Sequence, residues 1–475
     1  MSKTEVAVLV AYYFALAVLA LYSVHRFYLV RLRRRHAAAR EEPAAPERWP
    51  SVTIQLPLFN EANVASRLID AACAIEYDGA LTIQVLDDST DETTRIIDAH
   101  PLRHRIEHVR RTSRDGFKAG ALAHGMQSSD SELFAVFDAD FVPHPDFLKR
   151  TVPHFCDASA GMVQARWTHL NRDQSLLTRV QAIFLDAHFA VESAARHFSG
   201  RFFNFNGTAG VWRREAIVDA GGWSASTLTE DLDLSYRAQL AGWKFVFLPD
   251  VEVPAELPAQ LSGFQEQQHR WAKGSIQTAR KLLPRIVASD VAPRVKGEAF
   301  FHLTNNTAYL LTTIVALLMV PAIVIRQCLG VGWTLLIDAV LFAASTGSVL
   351  LFYVEGQRWA RRPRPQLREL AAVLPVGIGI SLRNASAVIE GLVHRGGYFR
   401  RTPKRGDSAI ESFERRPRIP IGELILAAFF VAAAAAFCVA RQWVSLPFIG
   451  LFLGGYATIV FQALGERLSY SRSES

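Results

Sequence analysis

Leu133-Phe134-Ala135-Val136-Phe137-Asp138-Ala139-Asp140 decides how the first half of this chain is read. An apolar run of strand-favouring residues bounded by acidic ones predicts a buried strand that ends on two carboxylates. Two similar runs precede it, Ser51 to Leu56 (SVTIQL) and Leu81 to Leu86 (LTIQVL), and the second also leads into an acidic pair, Asp87-Asp88. Helical patterns over Asn63 to Ala74 and Lys118 to Met126 lie between the strands. Strands alternating with helices imply an open α/β sheet. Ligands of such sheets bind beyond the carboxyl ends of the strands, where both acidic pairs fall.

The rest of the chain is of another kind. Half of the 475 residues are hydrophobic and the mean hydropathy is positive, which is unusual for a purely soluble protein. Val6 to Val24, Leu303 to Ile325, Trp333 to Val354, Ile421 to Ala440 and Val444 to Leu464 are nearly uncharged. Each is close to the roughly 20 residues that cross a bilayer core, so spanning helices are predicted at all of them. The first carries its charge behind it, in Arg31-Leu32-Arg33-Arg34-Arg35. With no small-residue cleavage site between, it reads as a retained anchor and not a signal peptide. The positive-inside rule makes that cluster cytoplasmic, with the N-terminus outside and residues 31–300 inside. Arg358, Arg361, Arg362 and Arg364 after the third span, and Arg415, Arg416 and Arg418 before the fourth, agree with this. The expectation is an integral protein of a bacterial inner or plasma membrane, or of an equivalent endomembrane, with its α/β domain cytoplasmic.

A net charge of +7 does not point to nucleic acid here, because the Arg clusters hug the membrane edges, where they serve topology and anionic lipid. Cys73, Cys156, Cys328 and Cys438 are scattered without metal-ligand spacing and read as reduced and structural. The expected organisation is a first membrane helix (1–30), a linker (31–50), the α/β domain (51–260), an interfacial region (261–300), two membrane helices (301–355), a cytoplasmic or interfacial segment (356–419), and two more membrane helices with a tail (420–475). Leu261 to Leu283 is amphipathic, with Phe264, Trp271 and Ile276 among Gln, Arg and Lys, and is expected to lie on the membrane surface. Leu370 to Val393 is apolar but holds Pro375, Gly377, Gly379, Arg383 and Glu390. It is read as an interfacial or re-entrant segment, not a sixth span.

Asp138 and Asp140 are two apart, so an extended backbone would turn both carboxylates to one side. That suits Mg2+ or Mn2+, hard cations that share their shell with substrate phosphates. Taken alone such a pair is more often a solvated turn; its neighbours reverse the odds. Thr229-Glu230-Asp231 precedes a helical stretch, Leu232 to Leu240. Capping explains the residue types, and a carboxylate held at a helix start can also take the proton from an acceptor hydroxyl, so Asp231 is the expected base. Gln267, Arg270 and Trp271 share one side of a helical turn, where an indole can stack on a sugar face beside two polar groups. The plainer alternative is an interfacial aromatic with Arg reaching for lipid headgroups. Lys118 and Arg270 are candidates to offset leaving-group charge.

With these residues in view, the chain resembles the processive membrane synthases of glycosyltransferase family 2, which include cellulose, hyaluronan and chitin synthases. It is most similar to the plant cellulose-synthase-like A family of mannan and glucomannan synthases. The resemblance is carried by VLDDSTDETT (85–94), GFKAGALAHGM (116–126), FDADFVPHPDFLKRT (137–151), VQARW (163–167), FNGTAGVWRREA (205–216), GGWSASTLTEDLDLSYRAQLAGWKF (221–245) and ELPAQLSGFQEQQHRWAKGSIQTARK (256–281). It implies a GT-A fold, a mixed Rossmann-like sheet, and an inverting, metal-dependent transfer of hexosyl units from a nucleotide sugar, GDP-mannose or UDP-glucose.

By that resemblance Asp87, Asp88, Lys118 and Asp138 bind the nucleotide sugar, Asp138 and Asp140 hold the metal, and Asp231 is the base supported by Glu230. Gln267, Arg270 and Trp271 form the acceptor and diphosphate platform, and Asn206, Gly207 and Thr208 lie in the segment lining the acceptor end. Phe399, Thr402 and Lys404 match a gating-loop pattern in which Arg401 replaces the family's Val. The expected product is a growing β-glycan passed across the membrane. Five helices make a tight channel, so interfacial segments or a second copy of the chain, a homo-oligomer, would have to complete it. The alternative is a single transfer to a lipid such as diacylglycerol, ceramide or a polyprenyl phosphate. A non-enzymatic scaffold or transport protein is disfavoured by the complete acidic set.

Overall fold

The structure is a computed structural model describing residues 1–36, 43–362, 367–394, 396–397, 404, 406 and 418–473. The chain enters through helix α1 (Lys3–Arg35), started by a reciprocal cap: Ser2 N donates to Glu5 Oε2 at 2.7 Å and Glu5 N to Ser2 Oγ at 3.2 Å. That pairing satisfies donors that a helix start otherwise leaves open. The helix runs on past residue 30, where a linker was expected. Arg33 is buried, donates Nε to the Ala190 carbonyl at 3.3 Å and lies 4.1 Å from the Trp359 ring centre. The arginine cluster is thus partly a docking surface for the α/β domain.

That domain is built on strands β1 (Val52–Leu58), β2 (Leu81–Asp87), β3 (Glu107–Arg110), β4 (Leu133–Val136), β5 (Ala160–His169), β6 (Gly210–Arg213) and β7 (Lys244–Ala255). They form one sheet in the order β3-β2-β1-β4-β6-β5-β7. The β1 to β4 half is parallel; β6 runs antiparallel to both β4 and β5, and β7 is parallel to β5. Both faces are covered, which is why the strands read as near-continuous apolar runs. Ile54, Leu56, Leu68 and Phe147 belong to one buried cluster, and Phe134, Met162, Trp212 and Phe247 to another. Helices α2 (Ala65–Cys73) and α3 (Phe117–Gln127) fall where the sequence pattern places them. Further along come α4 (Leu176–Ala187) and α5 (Glu230–Leu240).

Helix α6 (Leu261–Ala288) is the amphipathic segment, followed by a separate helix, α7 (Pro293–Thr304). The interfacial region is therefore two helices, broken by the Pro at the start of the second. The membrane part comprises α8 (Thr307–Cys328), α9 (Leu335–Trp359), the pair α10 (Leu367–Gly379) and α11 (Ser381–Val393), then α12 (Ile421–Val439) and α13 (Leu446–Ser473). Among the described residues five helices are long and apolar enough to cross a membrane, α1, α8, α9, α12 and α13, which makes this an integral membrane protein. The second span begins at Thr307 and not Leu303, because the chain breaks at Asn305 and Asn306.

Helices α10 and α11 meet at 45°. Helix α11 is tied to α6, Lys273 pairing with Glu390 at 2.9 Å and Arg383 with Glu266 at 2.7 Å, whereas α10 packs on α13, Gly379 lying close to Ile459. Such a bent pair answers to either a broken span or a re-entrant loop. At the domain end of α9, Glu355 pairs with Arg34 at 2.9 Å and Gln357 donates to Asp186 at 2.9 Å. At the far ends of α8, α9 and α12 the turns meet, with Gln327 donating to Gln442. Arg326 grips Asp338 through both terminal nitrogens at 3.0 and 2.8 Å, and Tyr12 and Tyr13 of α1 close the cluster.

A buried pair of this kind costs most when one partner is removed. Arg326→Leu should destabilise the detergent-solubilised protein by about 3–5 kcal/mol, seen as a lower melting temperature. The double change Arg326→Leu with Asp338→Leu should recover most of that loss.

Candidate active site

A pocket of ≈ 190 Å³ opens beyond the carboxyl ends of β1, β2 and β4. Asp88, Lys118, Asp138, Asp140, Asn206, Gly207, Glu230, Asp231, Gln267, Arg270, Trp271 and Lys404 all line it. Residues separated by more than 300 positions in sequence, Asp88 and Lys404 among them, are thus brought to one wall. Phe399 and Thr402 lie outside the described residues.

Strand β4 ends at Val136, and the chain turns at once, with the Phe141 N–H donating to the Asp138 carbonyl at 3.1 Å. The alternation expected of an extended backbone does not hold there; a turn brings Asp138 and Asp140 to the pocket instead. Asp138 is met by the Lys118 ammonium, whose Nζ also donates to the Gly207 carbonyl at 2.7 Å. Asp140 is met by Lys404 Nζ at 2.7 Å. Burial would loosen the Lys118 proton, but Asp138, Glu230 and Asp231 outweigh it and hold the ammonium above its ordinary range.

Among the described residues no three His, Cys, Asp or Glu side chains gather into a metal cage. Two carboxylates facing a phosphate-sized pocket nevertheless fit a hard divalent ion whose remaining ligands are diphosphate oxygens and water. Asp138 and Asp140 would hold it, in competition with the Lys404 ammonium.

Glu230 and Asp231 occupy the first turn of α5. Thr229 does not cap that helix with its side chain; its hydroxyl meets Thr278 at 3.2 Å instead. This contact is where α6 docks. A Cβ on Gly274 would stand 2.5 Å from Thr229 Cγ2, so only glycine lets α6 come near enough to carry Gln267, Arg270 and Trp271 to the pocket wall that holds Asp231. Burial, reinforced by the neighbouring Glu230 charge, pushes the Asp231 carboxyl up to about 7, and burial likewise raises Glu230.

The first acidic pair divides. Asp88 lines the pocket and is gripped by Arg111 at 2.8 and 2.6 Å. Asp87, expected beside it on the nucleotide, is turned inward and takes hydrogen bonds from Thr94 Oγ1 at 2.6 Å and Ser89 N at 2.8 Å, with His108 at 3.1 Å. Burial opposes its charge, yet the bonds from His108, Thr94 and Ser89 prevail and hold the carboxyl at about 2. In place of Asp87 the wall contains Phe59, Glu61, Arg114 and Trp167, which the sequence reading did not single out. Trp167 sits near the carboxyl end of β5, a position at which ligands of such sheets are met, and that was the available signal. Thr208 Oγ1 accepts from Asp138 N at 2.8 Å.

A second, larger cavity of ≈ 410 Å³ continues from the first. Trp167, Asn206, Thr229, Asp231, Gln267 and Trp271 belong to both linings. It runs between α1, α8, α9, α10 and α13, past Arg26, Thr312, Ser345, Phe352 and Phe452. Beyond it lies a buried apolar cluster including Tyr12, Met319 and Phe430.

A mixed sheet with an acidic pocket at its strand ends, a carboxylate at a helix start and an aromatic platform is the arrangement of a GT-A glycosyltransferase. Residues 50–274 match the family described as "Glycosyltransferase like family 2"; the chain carries a glycosyltransferase family 2 domain. Its relatives include "Glucomannan 4-beta-mannosyltransferase 1" of Oryza sativa subsp. japonica, 42% identical over 289 residues, 58% of this chain and 56% of the relative. The protein of the same description from Cyamopsis tetragonoloba is 38% identical over 303 residues, 61% of this chain and 58% of the relative. The chain spans about half the length of the curated relatives it matches. Among solved structures, a mannosyltransferase from Pyrobaculum calidifontis in complex with GDP-Man and Mn2+ superposes with a TM-score of 0.54 at 20% identity, covering 80% of this chain and 99% of that one. At that identity the likeness concerns the fold.

Gly207 has φ +84°, and a Cβ there would lie 3.1 Å from Asp231 Oδ2. Gly207→Ala is expected to displace the Asp231 carboxylate and lower turnover of a nucleotide sugar at least tenfold, at a strain of about 1–3 kcal/mol, measured as turnover and melting temperature of the same preparation.

Proposed function

We propose that the protein is a membrane-bound inverting β-glycosyltransferase that moves hexosyl units from GDP-mannose or UDP-glucose to a growing β-glycan, processively and coupled to translocation. One observation carries the reading: the pocket with the acidic set and the cavity between the membrane helices share Asp231, Gln267 and Trp271. A donor at the strand ends and an acceptor reaching back from the membrane would meet at Asp231. The curated relatives' description as glucomannan mannosyltransferases supports mannose as the sugar. The domain faces the cytoplasm in this reading, since the Arg-rich ends of the spans lie on its side.

Asp231 takes the proton of the acceptor hydroxyl as its oxygen attacks the anomeric carbon. The new C–O bond forms on the face opposite the diphosphate, the old one breaks, and the nucleoside diphosphate leaves with the bonding pair. Lys118 and Arg270 offset the charge of that leaving group. Mg2+ or Mn2+ held by Asp138 and Asp140 with the diphosphate would supply further charge neutralisation. Trp271 offers its face to the acceptor sugar and Gln267 its amide. Lys404, already at Asp140, is placed to move with the donor. A second copy of the chain is a candidate partner in completing the channel; nucleic acid is not part of the reading.

A single transfer to a lipid acceptor is the second reading. It is favoured by the apolar walls that Leu16, Leu19, Val349 and Leu451 give the cavity. Product length, by gel or mass spectrometry, separates the two.

Asp231→Asn should lower transfer by about 10²- to 10⁴-fold in membranes where the protein still inserts; equal activity would end this mechanism. The base works deprotonated, and its carboxyl sits at about 7, so kcat/KM should fall about tenfold per pH unit below that value and level off above it. A flat profile between pH 5 and 7 would remove Asp231 as the group that titrates.

A further inference from the structure

Behind the shared residue Asn206 stands a polar pair that the mechanism above does not use. Helix α4 passes into one π-helical stretch, His188–Ser193, an irregularity found often at functional sites. His188 Nδ1 lies 3.0 Å from Glu192 Oε2, and His188 Nε2 lies 2.9 Å from Asn206 Oδ1. Both His188 and Glu192 line the larger cavity, in which Asn206 is the junction with the smaller one.

The hydrogen bonds fix the direction of this chain. Asn204 Nδ2 donates to the Phe205 carbonyl at 3.0 Å and to Asn206 Oδ1 at 3.1 Å, so the Asn206 atom facing it and His188 is an acceptor. With Oδ1 of Asn206 an acceptor, His188 donates to it through Nε2–H, while Nδ1 faces the Glu192 carboxylate. Asn206 Oδ1 is thereby taken by two donors, while its Nδ2 is left with one long contact of 3.4 Å to the Asn204 carbonyl. Burial works against charge on Glu192, but the His188 hydrogen bond and the Arg196 charge overcome it and hold the carboxyl below its usual range. The adjacent Gly207 holds Lys118 through its carbonyl and leaves so little room that a Cβ there would stand 3.1 Å from Asp231 Oδ2, so the orientation of Asn206 is set directly beside the reacting centre.

We propose that Glu192 and His188 are positioning residues that lock the Asn206 carboxamide with its N–H2 group toward the junction, where it donates to a ring or hydroxyl oxygen of the acceptor sugar. This rests on the glycosyltransfer reading. The pair sets how well the acceptor outcompetes water for the donor, and leaves donor binding to the strand-end pocket.

The test uses the full-length chain in detergent with whichever of GDP-mannose and UDP-glucose the wild type turns over. Sugar in product and free sugar released by hydrolysis are measured together with donor KM. His188→Ala and Asn206→Ala should each lower the product-to-free-sugar ratio about tenfold, the scale of one lost hydrogen bond in a dry site. Donor KM of His188→Ala should stay within about twofold. The double variant should be no worse than Asn206→Ala alone, since His188 acts through Asn206. His188→Gln, whose amide can still donate to Asn206 Oδ1, should recover part of the ratio, which a packing role would not predict; this variant and Asn206→Ala carry the test if His188→Ala does not fold. An unchanged ratio in His188→Ala, a double variant whose loss is the product of the single losses, or no recovery in His188→Gln overturns the proposal. A wild-type chain that transfers no sugar overturns the proposed function instead.

Discussion

The site is organised around the charge on Lys118. Its ammonium reaches Asp138 at the end of the central strand and the Gly207 carbonyl, and its charge is felt by Glu230 and Asp231 at the start of α5. Carboxylates crowded into a low-dielectric pocket repel one another and would be driven to take up protons. A buried cation among them works against that rise, and the Asp231 carboxyl comes to about 7. Separate parts of the domain therefore depend on one side chain that begins on α3.

What was legible in the sequence were features set by local physics. Strand periodicity and span length gave the α/β domain and the five membrane helices. The acidic groups at strand and helix ends marked the pocket. What was not legible depends on partners far along the chain. Asp87 and Asp88 are indistinguishable as text; they part company because His108 and Thr94 claim one and Arg111 the other. The turn after Val136 replaced an expected extended run, because the Phe141 amide closes back on Asp138. The antiparallel strand β6 is only four residues long and offers no periodicity to read.

The junction between domain and membrane follows the same logic. Gly274 has no local signature, yet it sets how near α6 comes to Thr229, and through that where Trp271 stands relative to Asp231. The arginines that announce topology in the sequence also pack: Arg33 against Trp359 and Arg34 against Glu355. Residues that the sequence offers as a charge cluster are interface residues in the fold. The domain is consequently not suspended from its first helix but seated on the bundle.

The far ends of the bundle carry a mechanical implication. Arg326, Asp338, Tyr12 and Tyr13 bind α8, α9 and α1 into a hoop. Spreading those helices would bring an unpaired charge toward hydrocarbon, at a cost of several kcal/mol. Met319 and Phe430 belong to the buried apolar cluster that packs inside the bundle. Pulling any one of the three helices away takes hydrogen bonds from both of the others.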